Sequence, residues 1–315
     1  MIDLHLSRRR ALRLMAGAGV LGLAACGGRP VARAAIDPGR TAAGAAAADL
    51  SSLEQASGGR LGVFALDTGS GATLGWREGE RFALCSTFKL LLAGLVLREV
   101  EAGRLDGSAP MAFSAADLVP HAPVIGPALA AGTTAMTALE LARATQLTSD
   151  NVAANLLIAR LGGPAAVTAA LRALGDPTTR LDRIEPAMNL VPPGELRDTT
   201  TPQAMARTTA LFVTGDLLSP AGRDTLVQWL VDTQTGLRRL RAGLPPDWRA
   251  GDKTGTGIAA AMANKHNDVA VAWPPGRAPL VIACYFEADG HHSTMRASDD
   301  AVLAQVGRIV AGWSG

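Results

Sequence analysis

At 315 residues, 48% of them hydrophobic, the chain is long enough to hold two compact domains and to bury a sizeable core. Its net charge of +2 is small, and its Lys and Arg residues are scattered rather than gathered into an aromatic-studded stripe. A globular enzyme is the class that remains, and no nucleic-acid partner is expected.

Residues 1–26 read as an export signal. Ser7-Arg8-Arg9-Arg10 precedes an apolar run, Leu12 to Ala25, that is short for a bilayer span. The paired arginines are similar to a twin-arginine signal, and Leu23-Ala24-Ala25-Cys26 is similar to a bacterial lipobox whose cysteine is acylated after cleavage. The alternative is cleavage after Val31-Ala32-Arg33-Ala34, which releases a soluble protein. Both predict an exported, periplasmic or extracytoplasmic enzyme, membrane-anchored in the first case. Residues 27–48, rich in Ala, Gly and Arg without an apolar period, read as a flexible tether, so folding is expected from about Asp49 to residue 315.

Leu61 to Leu66 and Ala72 to Trp76 flank the turn-forming Asp67-Thr68-Gly69-Ser70-Gly71, which predicts a β-hairpin and makes strands the opening elements. Leu91, Leu92, Leu95 and Val96 continue a helix that begins near Ser86 and ends near Gly103. Thr137-Ala138-Leu139-Glu140 fits a capping box. Pro164, Pro202 and Pro220 stand at first helical positions, the last two behind the N-caps Thr201 and Ser219. Strand character returns in Val269–Trp273 and Leu280–Phe286, separated by Pro274-Pro275-Gly276, and a helix from about Asp299 to Trp313 closes the chain. Strands at both ends with helices between predict an antiparallel sheet with flanking helices, an α/β lobe of about 49–82 and 236–315. A helical lobe of about 83–235 completes the two-lobed arrangement, with the active site between the lobes.

Four short motifs carry the chemistry. In Ser86-Thr87-Phe88-Lys89 the serine and lysine share a helix face, so the amine reaches the hydroxyl and, partly desolvated beside other cations, can take its proton. Taken singly, that spacing also describes a surface helix start. Ser149-Asp150-Asn151 adds a hydroxyl able to relay a proton to a leaving nitrogen, a carboxylate that braces the turn, and an amide able to bind a substrate carbonyl. Lys253-Thr254-Gly255, followed by Thr256, adds a second cation and two hydroxyls suited to a substrate carboxylate. The cation is also expected to make Lys89 easier to deprotonate. Between them, Arg180 to Asp198, with Pro186, Pro192 and Pro193, reads as a long surface loop carrying Glu185 and Asn189.

Together these motifs identify the chain, over about residues 50–313, as resembling the class A serine β-lactamases. The resemblance implies a two-lobed serine β-lactamase/D,D-peptidase fold and hydrolysis of the β-lactam amide of penicillins and cephalosporins, hence antibiotic resistance. It implies an acyl-enzyme on Ser86, deacylation by a water that Glu185 activates, and Lys89 or Glu185 as acylation base. The oxyanion hole would come from the backbone N–H groups of Ser86 and Thr256. Asn151, Asn189, Lys253, Thr254, Gly255, Thr256, Arg239 and His121 are the expected substrate-binding positions, and Arg183 with Asp198 is the expected salt bridge at the loop's neck. The substrate is a small-molecule β-lactam, the enzyme is expected to be monomeric, and no cofactor is called for. A D,D-peptidase acting on peptidoglycan peptides is the alternative. A penicillin-sensing domain is a third reading, disfavoured by the lack of a transmembrane segment after the signal.

Two departures stand out. His121 falls where many relatives carry an aromatic residue at the cleft, and Arg239, in Gly236-Leu237-Arg238-Arg239-Leu240-Arg241, is the match for a carboxylate-binding arginine, with Arg238 and Arg241 as neighbours that leave the register open. Cys85, in a helix-entry motif, and Cys284, in an apolar strand, are expected as buried free thiols, with a disulfide between them as the alternative that an exported compartment permits; the bridge some relatives form is ruled out because Gly257 occupies the place of its second cysteine. The spacing of the five histidines suits no zinc site.

Overall fold

The computed structural model describes residues 38–315. The export signal with Cys26, the alternative cleavage after Ala34 and the first part of the tether lie outside the described residues.

The expected tether gives way to helix α1, Pro38–Ser57, before Asp49 is reached. Alanine is the best helix former, and the run from Ala42 to Ala48 supplies it with Gly44 as the only interruption. Ala46 and Leu50 are buried against the C-terminal part of the fold, so tertiary packing adds to the propensity. A helix, not a strand, therefore opens the described chain.

Strands β1 (Arg60–Asp67) and β2 (Thr73–Trp76) form the predicted hairpin. Its turn is held by Asp67, whose Oδ1 accepts Gly69 N–H at 2.9 Å and Ser70 N–H at 3.2 Å. The other sheet strands are β3 (Arg249–Gly257), β4 (Lys265–Trp273) and β5 (Leu280–Glu287), and the antiparallel order is β2-β1-β5-β4-β3. Register runs from Arg60 opposite Glu287 to Asp67 opposite Leu280, so the first strand joins the last. The apolar runs Val269–Trp273 of β4 and Leu280–Phe286 of β5 match the expected strands, whereas the polar first half of β4, Lys265 to Asp268, is buried in the sheet without having been legible as strand.

β3 was not legible in the sequence. Its Gly-Asp-Lys-Thr-Gly-Thr-Gly lacks apolar alternation and is poor in strand formers, yet it pairs along its length with β4, Lys253 opposite Val269. Two of its glycines permit close approach. A Cβ on Gly251 would meet the Leu230 carbonyl carbon at 2.5 Å, and one on Gly255 would lie 3.0 Å from Leu84 O. β3 is the sheet edge beside the Ser86 turn.

Helix α2 (Phe88–Glu101) is buried from Phe88 to Leu97 and forms the centre of the helical part. Around it lie α3 (Ala138–Leu147), α4 (Asn151–Arg160), α5 (Pro164–Ala173), α6 (Pro202–Val213) and α7 (Pro220–Asp232). The reciprocal capping box at Thr137 and Glu140 is present, and Thr201 and Ser219 cap α6 and α7 behind first-turn prolines. α6 packs on β1 and β5, so it layers onto one sheet face, while α1 and α8 (Ala297–Ser314) cover the other. Cys85 and Cys284 are buried free thiols.

Candidate active site

The chain enters the Ser86 turn through Cys85 at φ 44°, and a single 3-10 turn, Cys85–Thr87, leads into α2. Lys89, one turn along, brings its ammonium to 3.0 Å from Ser86 Oγ. The same nitrogen lies 2.9 Å from Glu185 Oε1, 2.9 Å from Ser149 O, 3.3 Å from Ser149 Oγ and 2.5 Å from Asn151 Oδ1. An ammonium has three N–H donors, so five oxygens compete for them. Ser86 Oγ donates to Glu185 Oε1 at 3.2 Å. Both candidate bases thus lie within reach of one hydroxyl.

Burial pushes the Lys89 pKa down, with Glu185 opposing. Lys253 is also fully buried, and burial, with the Lys89 charge added, brings it down to about 7. Burial is the largest cause of the lowering at Lys89, and repulsion between the two buried ammonium groups acts on both.

The loop carrying Glu185 is irregular but not simply a surface feature, since Glu185, Met188 and Asp198 are buried. Asn155 on α4 clamps Glu185 by both backbone groups, accepting its N–H at 2.9 Å and donating to its carbonyl at 2.9 Å. Asn155 was missed; the signal was its i+4 spacing from Asn151, which puts both amides on one helix face. Asn189 Nδ2 donates to Glu185 Oε2 at 2.5 Å. At the neck, Arg183 Nε meets Asp198 Oδ2 at 2.5 Å, and Asp198 Oδ1 accepts the N–H groups of Asp182 and Arg183 at 2.7 and 3.0 Å.

Asp150 braces two elements. Its Oδ1 caps α4 through Ala153 N–H at 2.9 Å, and its Oδ2 accepts Val124 and Ile125 N–H at 2.9 and 3.0 Å. Ser149 precedes it at φ 62°. Asn151 Nδ2 donates one hydrogen to Pro120 O at 2.8 Å and keeps a second. His121 is exposed at the cleft, its Nε2 3.0 Å from Thr148 O, while its carbonyl accepts Asn151 N–H at 3.0 Å.

On β3, Lys253 Nζ donates to Thr254 O at 2.8 Å and Thr254 Oγ1 to Thr235 Oγ1 at 2.8 Å. Arg239 is the buried arginine of its run: Nε donates to Asp300 Oδ1 at 2.8 Å, Nη1 to Gly255 O and Asn267 O at 2.9 and 2.7 Å, and Nη2 to Thr256 Oγ1 at 2.9 Å. Four of five N–H donors are used, leaving one, and Thr256 is left to donate its own hydrogen elsewhere. Arg238 is exposed at the cleft and Arg241 turns to Asp252 at 3.0 Å, so Arg239 is the arginine of this run held against Thr256.

Ser86, Ser149, Asn151, Asn189, Thr254, Thr256, Arg239 and His121 line one cleft of about 700 Å³. Leu237 and Arg238 of the arginine run also line it, together with Gln234, Thr235 and Met295, which no motif in the sequence marks. Lys89, Glu185, Lys253 and Gly255 stand behind this wall, in contact with it.

Residues 45–313 match the Beta-lactamase enzyme family. Over 313 residues the chain is 47% identical to beta-lactamase L2 of Stenotrophomonas maltophilia, covering 96% of this chain and 98% of that protein. It is 45% identical over 262 residues to the carbapenem-hydrolyzing beta-lactamase KPC of Klebsiella oxytoca, covering 82% and 85%. Among solved structures, an ancestral class A beta-lactamase superposes with a TM-score of 0.78 at 50% identity, covering 84% of this chain and 98% of that one. A beta-lactamase from Xanthomonas campestris gives a TM-score of 0.80 at 43% identity, covering 87% and 99%.

Proposed function

The chain belongs to the class A β-lactamases, enzymes that hydrolyse β-lactams, and from that premise we propose that it works through an acyl-enzyme on Ser86 released by a Glu185-activated water. The observation that carries the proposal is the position of the Ser86 hydroxyl between Lys89 Nζ at 3.0 Å and Glu185 Oε1 at 3.2 Å.

The substrate carboxylate lies against Thr254, Thr256, Lys253 and the remaining N–H of Arg239. The lactam carbonyl receives the backbone N–H groups of Ser86 and Thr256, and Asn151 receives the acylamido carbonyl with its second N–H. Ser86 Oγ attacks as its proton passes to Lys89 or Glu185. The C–N bond breaks, and Ser149 Oγ hands its proton to the departing nitrogen while taking one from Lys89 Nζ, 3.3 Å away, which carries the proton released by Ser86 directly or by way of Glu185. Water then attacks the ester, giving a proton to the carboxylate of Glu185, which Asn189 orients; the proton returns to Ser86 as the C–O bond breaks. His121 stacks at the cleft mouth.

The reading extends to an exported, monomeric enzyme of the periplasm, anchored through acylated Cys26 or released by cleavage after Ala34. The test is steady-state hydrolysis of a chromogenic cephalosporin with intact-mass analysis during turnover. Many turnovers, abolished in Ser86→Ala, are expected. One stoichiometric adduct without turnover would replace the reading with that of a penicillin-binding protein.

A further inference from the structure

His266 is fully buried on β4, opposite Thr256 of β3. Its Nε2 is 3.3 Å from Asp299 Oδ2 and its Nδ1 3.5 Å from Asp300 Oδ1, although neither approach is aligned as a hydrogen bond. Asp300 Oδ1 is also the oxygen that accepts Arg239 Nε at 2.8 Å, and Arg239 donates to Thr256 Oγ1 at 2.9 Å. A line of contacts therefore runs from His266 through Asp300 and Arg239 to a hydroxyl in the cleft.

The charged and titratable groups around the ring come from every neighbouring element. Asp299 and Asp300 face it from α8, and Arg296 holds Asp299 at 2.7 Å. Arg239 approaches ahead of the short helix Leu240–Gly243, with exposed Arg238 at 3.7 Å from Asp300 Oδ2. Asp268 lies two residues along the same face of β4, and Cys284 lies on that face of β5. A buried polar ring is costly unless it has a task, and the chemistry at Ser86 gives it none.

We propose that His266 is a positioning residue for the substrate carboxylate: standing against Asp300 Oδ1, it fixes the carboxylate that sets the angle of Arg239 and so aims the Thr256 hydroxyl and the remaining guanidinium N–H into the cleft. The inference rests on the reading above, in which Arg239 and Thr256 meet that carboxylate. Arg239 holds Asp300 by one N–H rather than by a two-pronged contact, which alone leaves the carboxylate free to pivot. The ring removes that freedom. Burial acts to raise the Asp300 pKa, yet His266 and Arg239 together hold it below its ordinary range.

The test uses a penicillin and its methyl ester, whose carboxylate is masked, with wild type, Arg239→Ala, His266→Phe and His266→Gln, and a thermal melt of each. Phe keeps ring volume without nitrogen, Gln keeps a side-chain N–H, and His266→Met carries the Phe arm if that variant does not fold. Arg239→Ala is expected to raise KM for the free acid by about tenfold, the worth of one hydrogen bond to a charged group, and His266→Phe to raise it in the same direction by a smaller factor, with kcat retained and the ester unaffected. His266→Gln should return KM toward wild type. If Arg239→Ala raises KM and His266→Phe does not, the inference falls while the proposed function stands. If Arg239→Ala leaves KM unchanged, the carboxylate assignment itself is wrong. Equal losses for acid and ester, or a lowered melting temperature with KM unchanged, would reduce His266 to packing.

Discussion

Lys89 Nζ and Glu185 Oε1 lie 2.9 Å apart with both side chains fully buried, and the Ser86 hydroxyl contacts each of them. Removing two opposite charges from water is expensive, and the pair survives burial because Ser149 O, Asn151 and Asn189 supply further hydrogen bonds to the charged groups. The same pairing keeps two possible proton acceptors at one nucleophile.

Glu185→Gln keeps the shape of the side chain and removes its basicity. Acylation is expected to continue while deacylation stalls, with kcat lowered by about 10²–10⁴ and an adduct on Ser86 accumulating in the intact mass. Steady turnover at the wild-type rate would remove Glu185 from the role of base.

The neck of the loop rests on Asp198, which accepts one guanidinium and two backbone N–H groups. Asp198→Ala strands three donors and is expected to cost about 3–5 kcal/mol. Arg183→Ala leaves Asp198 its two backbone donors and is expected to cost less. Denaturant melts measure the first effect, and a fall in kcat through loosened Glu185 accompanies it.

Lys253, at about 7, gives up its proton near neutrality. As pH rises through that value the cation facing the substrate carboxylate disappears, so kcat/KM should fall on the alkaline side; Lys253→Arg should move that limb out of range. For stability the sign is opposite. The unfolded chain holds the proton up to about 10.5 whereas the folded one releases it near 7, so this group makes unfolding harder as pH rises between the two. Denaturant midpoints for wild type and Lys253→Met across that window check the slope.

A Cβ built on Gly257 lies 3.1 Å from Cys85 Sγ, close to the spacing within a disulfide. Gly257→Cys is expected to oxidise with Cys85, withdraw both thiols from titration under denaturing conditions and add about 2–4 kcal/mol of stability that reductant removes. A thiol count that does not fall by two on oxidation, with Cys284 still titrating, would contradict the geometry.

Much of this protein is fixed by local order along the chain. The hairpin at Asp67–Gly71, the helix caps at Thr137, Thr201 and Ser219 and the apolar strand runs 269–273 and 280–286 are set by residues within a few positions of one another. The same holds for the motifs around Ser86, Ser149, Glu185 and Lys253, whose residue types already imply acyl transfer. Long-range contacts decided the rest. Arg249–Gly257 becomes a strand because β4 pairs with it, and Pro38–Asp49 stays helical because α8 covers Ala46 and Leu50. Asn155 clamps Glu185, Arg239 has one N–H to spare and His266 meets two aspartates only after residues from 16 to 61 positions apart have been brought together. Propensity and spacing are properties of neighbours in the chain, whereas hydrogen-bond satisfaction and burial are settled by partners that only the folded chain supplies.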